Sequence, residues 1–143
     1  MVGDYMREVT RLMIRDYNLK KLGYDFMGFR FNRTEQLSFH HLIVPHRLCK
    51  GIEREGYVAW NGAILVQSTS HEYLHTIEIY DRPTFEYITQ QMIEMNQQGK
   101  LDLEHLVNIN DALKEFEKSF YDLTTRKGKR LIKREYIENR ILK

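Results

Sequence analysis

The sequence predicts an α+β fold in which two short strands pack against helices. Residues 37–44 are rich in apolar and β-branched side chains and stop at Pro45, and residues 63–67 begin with a second apolar run, Ala63 to Val66. Both patterns are typical of strands. Several later segments carry apolar residues at helical spacing. Because two strands alone make only a marginal sheet, we expect the helices to cover one of its faces.

Helical periodicity and capping signals predict five helices, over about residues 4–17, 69–79, 81–99, 106–120 and from about 129 onwards. The second should begin at Thr69, because Thr69-Ser70-His71-Glu72 matches a capping box, in which a hydroxyl and a carboxylate bind the free N–H groups of a helix start. Gly99 is a typical end for the third helix. Residues 108–111 leave open whether the fourth is continuous.

The size and composition of the chain are those of one globular domain. It has 143 residues, of which 42% are hydrophobic and 29% are charged, a balance that excludes a disordered protein. We therefore expect a single domain over residues 1–143, with a core at about 37–80 and a helical C-terminal extension at about 81–143.

Charge is unevenly distributed along the chain. The net charge is +2, but residues 124–143 contain eight basic and two acidic residues. That segment carries +6, which leaves −4 for the remainder. A basic tail on an acidic body fits a nucleic-acid contact. It also fits a solvated terminal helix, and both interpretations stay open at this point.

The cysteine content and the hydropathy pattern predict a cytoplasmic protein. Cys49 is the only cysteine, so neither a disulfide within the chain nor a cysteine zinc motif can form, which suits a reducing compartment. Residues 1–17 carry too many charges for a signal peptide. The longest aliphatic run, residues 63–66, is far too short to span a bilayer, so no membrane partner is expected.

Histidines are concentrated around the two strands and the helix after them, where five of the six lie between positions 40 and 75. His71 and His75 are four apart on the predicted helix, so their imidazoles share a face and can reach one metal ion. His40 and His41 are neighbours on a strand and point to opposite sides. One can bind the metal while the other faces a substrate. A nuclease needs this division, because a metal neutralises charge on the phosphate while a base takes a proton from water.

Three runs, residues 39–45, 61–65 and 71–75, together resemble the HNH, or ββα-metal, endonucleases. The two adjacent histidines at the start and the two histidines four apart at the end are most similar to the nuclease colicins. The resemblance covers about residues 37–78. It implies a ββα-metal core with additional N- and C-terminal helices. It also implies metal-dependent hydrolysis of phosphodiester bonds, foremost in DNA, that leaves 5′-phosphate ends.

The resemblance further implies a role for each residue of the motif. His40, His71 and His75 would hold one divalent metal ion, and His41 would be the general base that activates water. Asn61 would brace the loop and hold His41 in orientation. Three imidazoles favour Zn²⁺ or Ni²⁺ by intrinsic affinity, and Mg²⁺ or Mn²⁺ stays open as the working ion. As a base, His41 is expected to titrate at about pH 6–7, like an ordinary histidine.

Three features depart from the family pattern. The interval from His41 to Asn61 is longer than in compact members, and the interval from Asn61 to His71 exceeds the expected spacing by one residue. The flanking cysteine pairs of many members are absent. None of these departures removes a ligand, but they leave the loop and the substrate undefined.

Two other functions stay open. The fold and its metal could serve as a catalytically inactive nucleic-acid or protein binding module, although such a module has no need of His41. A structural zinc protein would need a closed four-ligand site, with His46 as the fourth ligand.

In a nuclease, Arg33, His46 and Arg47 are candidate phosphate contacts, with a solvated loop position as the alternative for His46. The expected partner is nucleic acid, foremost DNA, and a toxin would in addition come with an inhibitor protein.

Overall fold

Two strands and six α-helices are formed by residues 2–49, 56–120 and 131–143, the residues that this computed structural model describes. The strands are β1 (Leu37–His41) and β2 (Gly62–Val66). The helices are α1 (Val2–Asp16), α2 (Leu19–Leu22), α3 (Glu72–Tyr80), α4 (Arg82–Gln98), α5 (Leu103–Phe120) and α6 (Arg134–Glu138). The predicted α+β class is confirmed. None of the described helices has the length and apolar character needed to cross a membrane.

The two strands pair antiparallel, with Leu37 opposite Val66 and His41 opposite Gly62. All five residues of β2 are buried, so this strand is covered on both faces. Gly62 makes room for a neighbouring ring, since a Cβ there would lie 2.1 Å from Cε2 of Phe39. The end of the hairpin that carries the histidines therefore requires a residue without a side chain at this position.

β1 ends at His41, three residues before its predicted end at Val44. The reason is the Asn61 side chain, whose Oδ1 accepts the backbone N–H groups of Ile43 and Val44 at 2.9 and 2.7 Å. These N–H groups are thereby withdrawn from the ladder with β2, because each can make only one good hydrogen bond. The chain consequently turns away from the sheet directly after His41.

A π-helical turn, Gln67–His71, joins β2 to α3. The predicted capping box at Thr69 is wrong, because the helical backbone already begins two residues earlier and Thr69 lies inside the turn. The Thr69 hydroxyl is buried without a hydrogen-bond partner among the described residues. The Glu72 carboxylate instead accepts hydrogen bonds from Lys133 and Tyr136.

Asp25 fixes the position of this turn from inside the core. Its carboxylate is fully buried and accepts hydrogen bonds from the backbone N–H of Val66 at 2.8 Å and from the Ser70 hydroxyl. Its other oxygen accepts the N–H groups of Met27 and Phe29. Burial raises the pKa of Asp25 to about 6, against the lowering effect of these hydrogen bonds. The start of the helical segment is thus tied to β2 and to the loop that precedes β1.

α4 and α5 agree with the prediction. Asp81 caps α4 by accepting the N–H of Thr84 at 3.2 Å. The same helix ends at Gly99, whose φ of 75° is a conformation that favours glycine. α5 continues without a break through residues 108–111, because Ile109 and Asn110 are buried against the core.

Residues 131–143 pack onto the body of the protein. Arg140 is 4% exposed and forms a buried, two-bonded ion pair with Glu117 on α5. Two further cations form surface ion pairs: Lys133 with Glu72, and Arg134 with Glu138. These three cations of the basic tail are therefore already paired with carboxylates inside the protein. Residues 124–130 of the tail, including the predicted helix start near residue 129, lie outside the described residues.

Candidate metal centre

Three histidines converge at one end of the sheet. His40 comes from β1, His71 is the last residue of the π-helical turn, and His75 lies one turn later in α3. One ring nitrogen from each lies within 4.8 Å of the other two, and the ring centroids are 4.9 to 5.5 Å apart. These three residues can hold a metal ion. Helical spacing predicted the pairing of His71 with His75, and the family resemblance implied His40 as the third ligand.

The environment of the His40 ring fits a metal ligand. The residue is 5% exposed, and its buried Nε2 has no hydrogen-bond partner among the described residues. Leaving a buried polar atom unpaired costs about 1–3 kcal/mol, so a partner at Nε2 would stabilise the protein. A transition-metal cation is such a partner, since imidazole is one of its preferred ligands.

Hydrogen bonds at Nδ1 orient the other two rings. The Ser38 hydroxyl donates to the carbonyl of Leu65 at 3.2 Å, and its oxygen is therefore free to accept from Nδ1–H of His71 at 2.7 Å. Oε1 of Glu78 accepts a hydrogen bond from Nδ1–H of His75 at 3.2 Å. Both contacts place the ring proton on Nδ1 and leave Nε2 as the nitrogen that can bind a metal.

Sequence reasoning missed these orienting residues, although their spacing contained a signal. Ser38 precedes His40 by two positions on a strand and so shares its face. Gln67, whose Oε1 lies 3.0 Å from Nδ1 of His71, stands four residues before that histidine. Glu78 stands three residues after His75, whose ring it orients. These are the distances at which side chains on a helix meet.

Burial keeps two of the three rings neutral. It lowers the pKa of His40 well below the usual value, and the nearby imidazoles of His71, His75 and His41 lower it further. Burial, followed by the effects of His75 and His41, also lowers the pKa of His71 to about 4. Because the neutral imidazole is the form that binds metals, both rings are ready to accept a cation near neutral pH.

His41 faces the other side of β1, among aromatic rings. Its ring centroid is 4.9 Å from that of Tyr57, 5.0 Å from that of Phe39 and 5.2 Å from that of His46. Its Nε2 is buried without a partner among the described residues, which leaves Nδ1 as the nitrogen that can meet water. Burial, with a contribution from His46, lowers the pKa of His41 to about 4. The sequence-based expectation of about 6–7 is therefore too high.

Asn61 braces the loop next to the cleft through backbone contacts. Besides the two N–H groups of Ile43 and Val44, its side chain binds two carbonyls: Nδ2 donates to Val44 at 3.0 Å and to Gly56 at 3.1 Å. These four bonds use the full hydrogen-bonding capacity of the amide. Asn61 thus joins the segment that follows His41 to the segment at Gly56, and none of its side-chain hydrogen bonds goes to the His41 ring.

Both faces of β1 contribute to one cleft of about 280 Å³. Its walls combine the three candidate ligands with the rings around the fourth histidine: Phe39, His40, His41, His46, Tyr57, His71 and His75. Of the candidate phosphate contacts, His46 lines this cleft, whereas Arg33 lines a separate cavity beside Lys20 and Arg47 is not part of the walls. His46 packs against His41 and does not join the ligand group. The described residues therefore do not form a closed four-histidine site.

Comparison with known proteins finds no relative of this chain. The chain matches no protein-family model, no curated protein and no solved structure.

Proposed function

We propose that this chain is a metal-dependent endonuclease that hydrolyses phosphodiester bonds in DNA, and that residues 37–80 form a ββα-metal core. The observation that carries the proposal is the shared cleft. Three histidines able to hold one ion lie beside His41, a neutral histidine that takes no part in their group. Hydrolysis of a phosphodiester needs both a cation and a base, and this cleft offers a place for each.

The ion would be held by Nε2 of His40, His71 and His75. When bound, a divalent cation stabilises the negative charge that grows on the phosphate and on the leaving oxygen. The three-imidazole donor set favours Zn²⁺ or Ni²⁺ by intrinsic affinity, with Mg²⁺ and Mn²⁺ as the alternatives to be tested. Ser38 and Glu78 would hold two of the ligand rings in the binding orientation.

His41 would act as the base at Nδ1. In its neutral form, with the ring proton on the buried Nε2, the free electron pair of Nδ1 takes a proton from water. The water oxygen bonds to phosphorus while the bond from phosphorus to the 3′ oxygen breaks. The leaving oxygen takes a proton from solvent, and the products are a 3′-hydroxyl and a 5′-phosphate. A positioned base contributes about 10²–10⁴-fold to the rate of such a step.

An enzyme accounts for the cleft better than a binding module does. A module that only holds a metal has no use for a second imidazole beside the ligands, kept neutral by burial and lined by aromatic rings. A structural zinc site would use all four positions around the ion, whereas three described residues form this ligand group. Among the described residues one position around the ion would stay open, as a hydrolytic site requires.

Plasmid cleavage tests this proposal. The protein should convert supercoiled DNA to nicked or linear forms with at least one of Zn²⁺, Ni²⁺, Mg²⁺ or Mn²⁺, should stop when EDTA is added, and should resume when the ion is restored. The products should ligate without prior phosphorylation, because their 5′ ends carry phosphate. An RNA of the same sequence serves as the comparison substrate. Failure to cleave either nucleic acid with any of the four ions would overturn the proposal and favour the binding module.

The pH dependence of kcat/KM follows from the low pKa values of about 4 of His41 and His71. Above this pH both rings are neutral, so that one can take a proton and the other can bind the ion; below it, both are protonated. We expect kcat/KM to stay level from about pH 8 to about pH 5 and to fall towards pH 4. If kcat/KM instead began to fall at about pH 6.5, as for an unperturbed histidine, burial would not be lowering the pKa of the base.

A further inference from the structure

We infer that Tyr57 is a positioning residue for His41, and that the ring pair Phe39 and Tyr57 sets the orientation in which the His41 imidazole faces the cleft. The inference rests on the proposed function, because it assigns a role within that same site. The contacts that carry it are those of Phe39 and Tyr57 with the His41 ring, and the three candidate metal ligands take no part in them.

Three rings form a mutual contact group on one face of β1. The centroid distances are 4.9 Å from His41 to Tyr57, 5.0 Å from His41 to Phe39 and 5.3 Å from Phe39 to Tyr57, with interplanar angles of 64°, 81° and 60°. These are the tilted and edge-to-face arrangements that aromatic rings prefer. Phe39 and Tyr57 are 4% and 8% exposed, so the core fixes where their rings can be, and they in turn fix His41.

Hydrogen bonds from the described residues do not provide this orientation. Nε2 of His41 is buried without a partner among them, and all four hydrogen bonds of the Asn61 amide go to backbone groups. The space beside Nε2 is closely filled. A Cβ on Gly56, the residue before Tyr57, would lie 3.6 Å from Nε2 and 2.2 Å from Sγ of Cys49. Packing is therefore what keeps the His41 ring in place.

The efficiency of a base depends on such placement. The base must lie within hydrogen-bond reach of the water that it deprotonates, and a displacement of about 1 Å can reduce the rate about 100-fold. Without the Tyr57 ring, one wall of the His41 pocket is empty and the imidazole can rotate away. Tyr57 does not belong to the ligand group, so its loss should affect the chemical step and leave metal binding unchanged.

The test compares two substitutions at one position. Tyr57→Ala should lower kcat for cleavage of a DNA duplex about 10–100-fold while KM and the affinity for Zn²⁺ stay at the parental values. Tyr57→Phe keeps the ring and should restore the parental kcat. Tyr17→Ala is the matched control, because Tyr17 packs against Phe26 at 4.8 Å outside the cleft, and it should cleave at the parental rate. If circular dichroism shows that Tyr57→Ala does not fold, Tyr57→Leu replaces it.

NMR of the zinc-loaded protein gives a readout that does not depend on cleavage. The ring-proton signals of His41, assigned by their disappearance in His41→Ala, should be displaced by the neighbouring rings in the parent and in Tyr57→Phe. In Tyr57→Ala they should move towards the positions of a free histidine. If the parent does not cleave DNA, the proposed function fails, and the NMR comparison still decides the positioning role. Unchanged His41 signals together with a parental kcat in Tyr57→Ala would overturn the inference.

Discussion

Replacing His41 with alanine should lower kcat for DNA cleavage about 10²–10⁴-fold, the usual contribution of a positioned base. His41 lies outside the ligand group of His40, His71 and His75, so the variant should keep its metal and its affinity for DNA. Initial rates on a labelled duplex, with metal content and DNA binding measured on the same samples, test all three expectations.

His105→Ala is the matched control for this variant. The His105 side chain is 16% exposed and pairs with Asp102 at 2.8 Å, outside the cleft, so its loss should leave the cleavage rate unchanged. If His41→Ala lost its metal, the roles of His40 and His41 would be exchanged. If it cleaved DNA at the parental rate, His41 would not be the base.

Replacing His71 with alanine should weaken zinc binding more than about 100-fold, since about 10–100-fold is typical for loss of a residue that only orients a ligand. Ser38→Ala removes one of the two acceptors at Nδ1 of His71, the other being Oε1 of Gln67, and should cause a loss no greater than that of an orienting residue. His75→Ala should weaken binding less than His71→Ala does, because His75 is exposed on α3. Competition with a chromophoric chelator at pH 7 measures the affinities. Parental affinity in His71→Ala would exclude this residue from the site.

The ligand cluster could be predicted because most of its geometry is local. His71 and His75 meet through helical spacing alone, and His40 is brought to them by a short antiparallel pairing between strands that the hydropathy pattern already indicated. The bracing of the loop by Asn61 was implied by the family resemblance, and position alone did not predict it. The spacing could not predict the contact of His41 with Tyr57, because Tyr57 lies 16 positions later, in the loop between β1 and β2.

The π-helical turn could not be predicted, because distant residues determine it. Ser70 binds the carboxylate of Asp25, 45 positions earlier in the chain, and this contact overrides the local capping signal at Thr69. A π-helical turn takes up one residue more than an α-helical turn. The extra residue is taken up before α3, and the four-residue interval between His71 and His75 is preserved.

The pairing of charges in the C-terminal segment could not be predicted either. The cations could be counted from the sequence, but no local pattern indicated that Arg140 is buried against Glu117 on α5. A buried cation with a carboxylate partner serves the fold, because removing either charge would leave the other uncompensated. Counting charges therefore overstated what Arg140 can offer to a phosphate.

The most direct test is a titration of the metal-free protein in which bound ion per chain and plasmid cleavage are followed in the same samples, with whichever ion supports cleavage. We expect cleavage to rise with bound ion and to level off at about one ion per chain, as for a single site of this kind. The double variant His40→Ala, His71→Ala should neither bind the ion at this site nor cleave DNA. Full occupancy or parental cleavage in the double variant would contradict a nuclease centre built on these histidines.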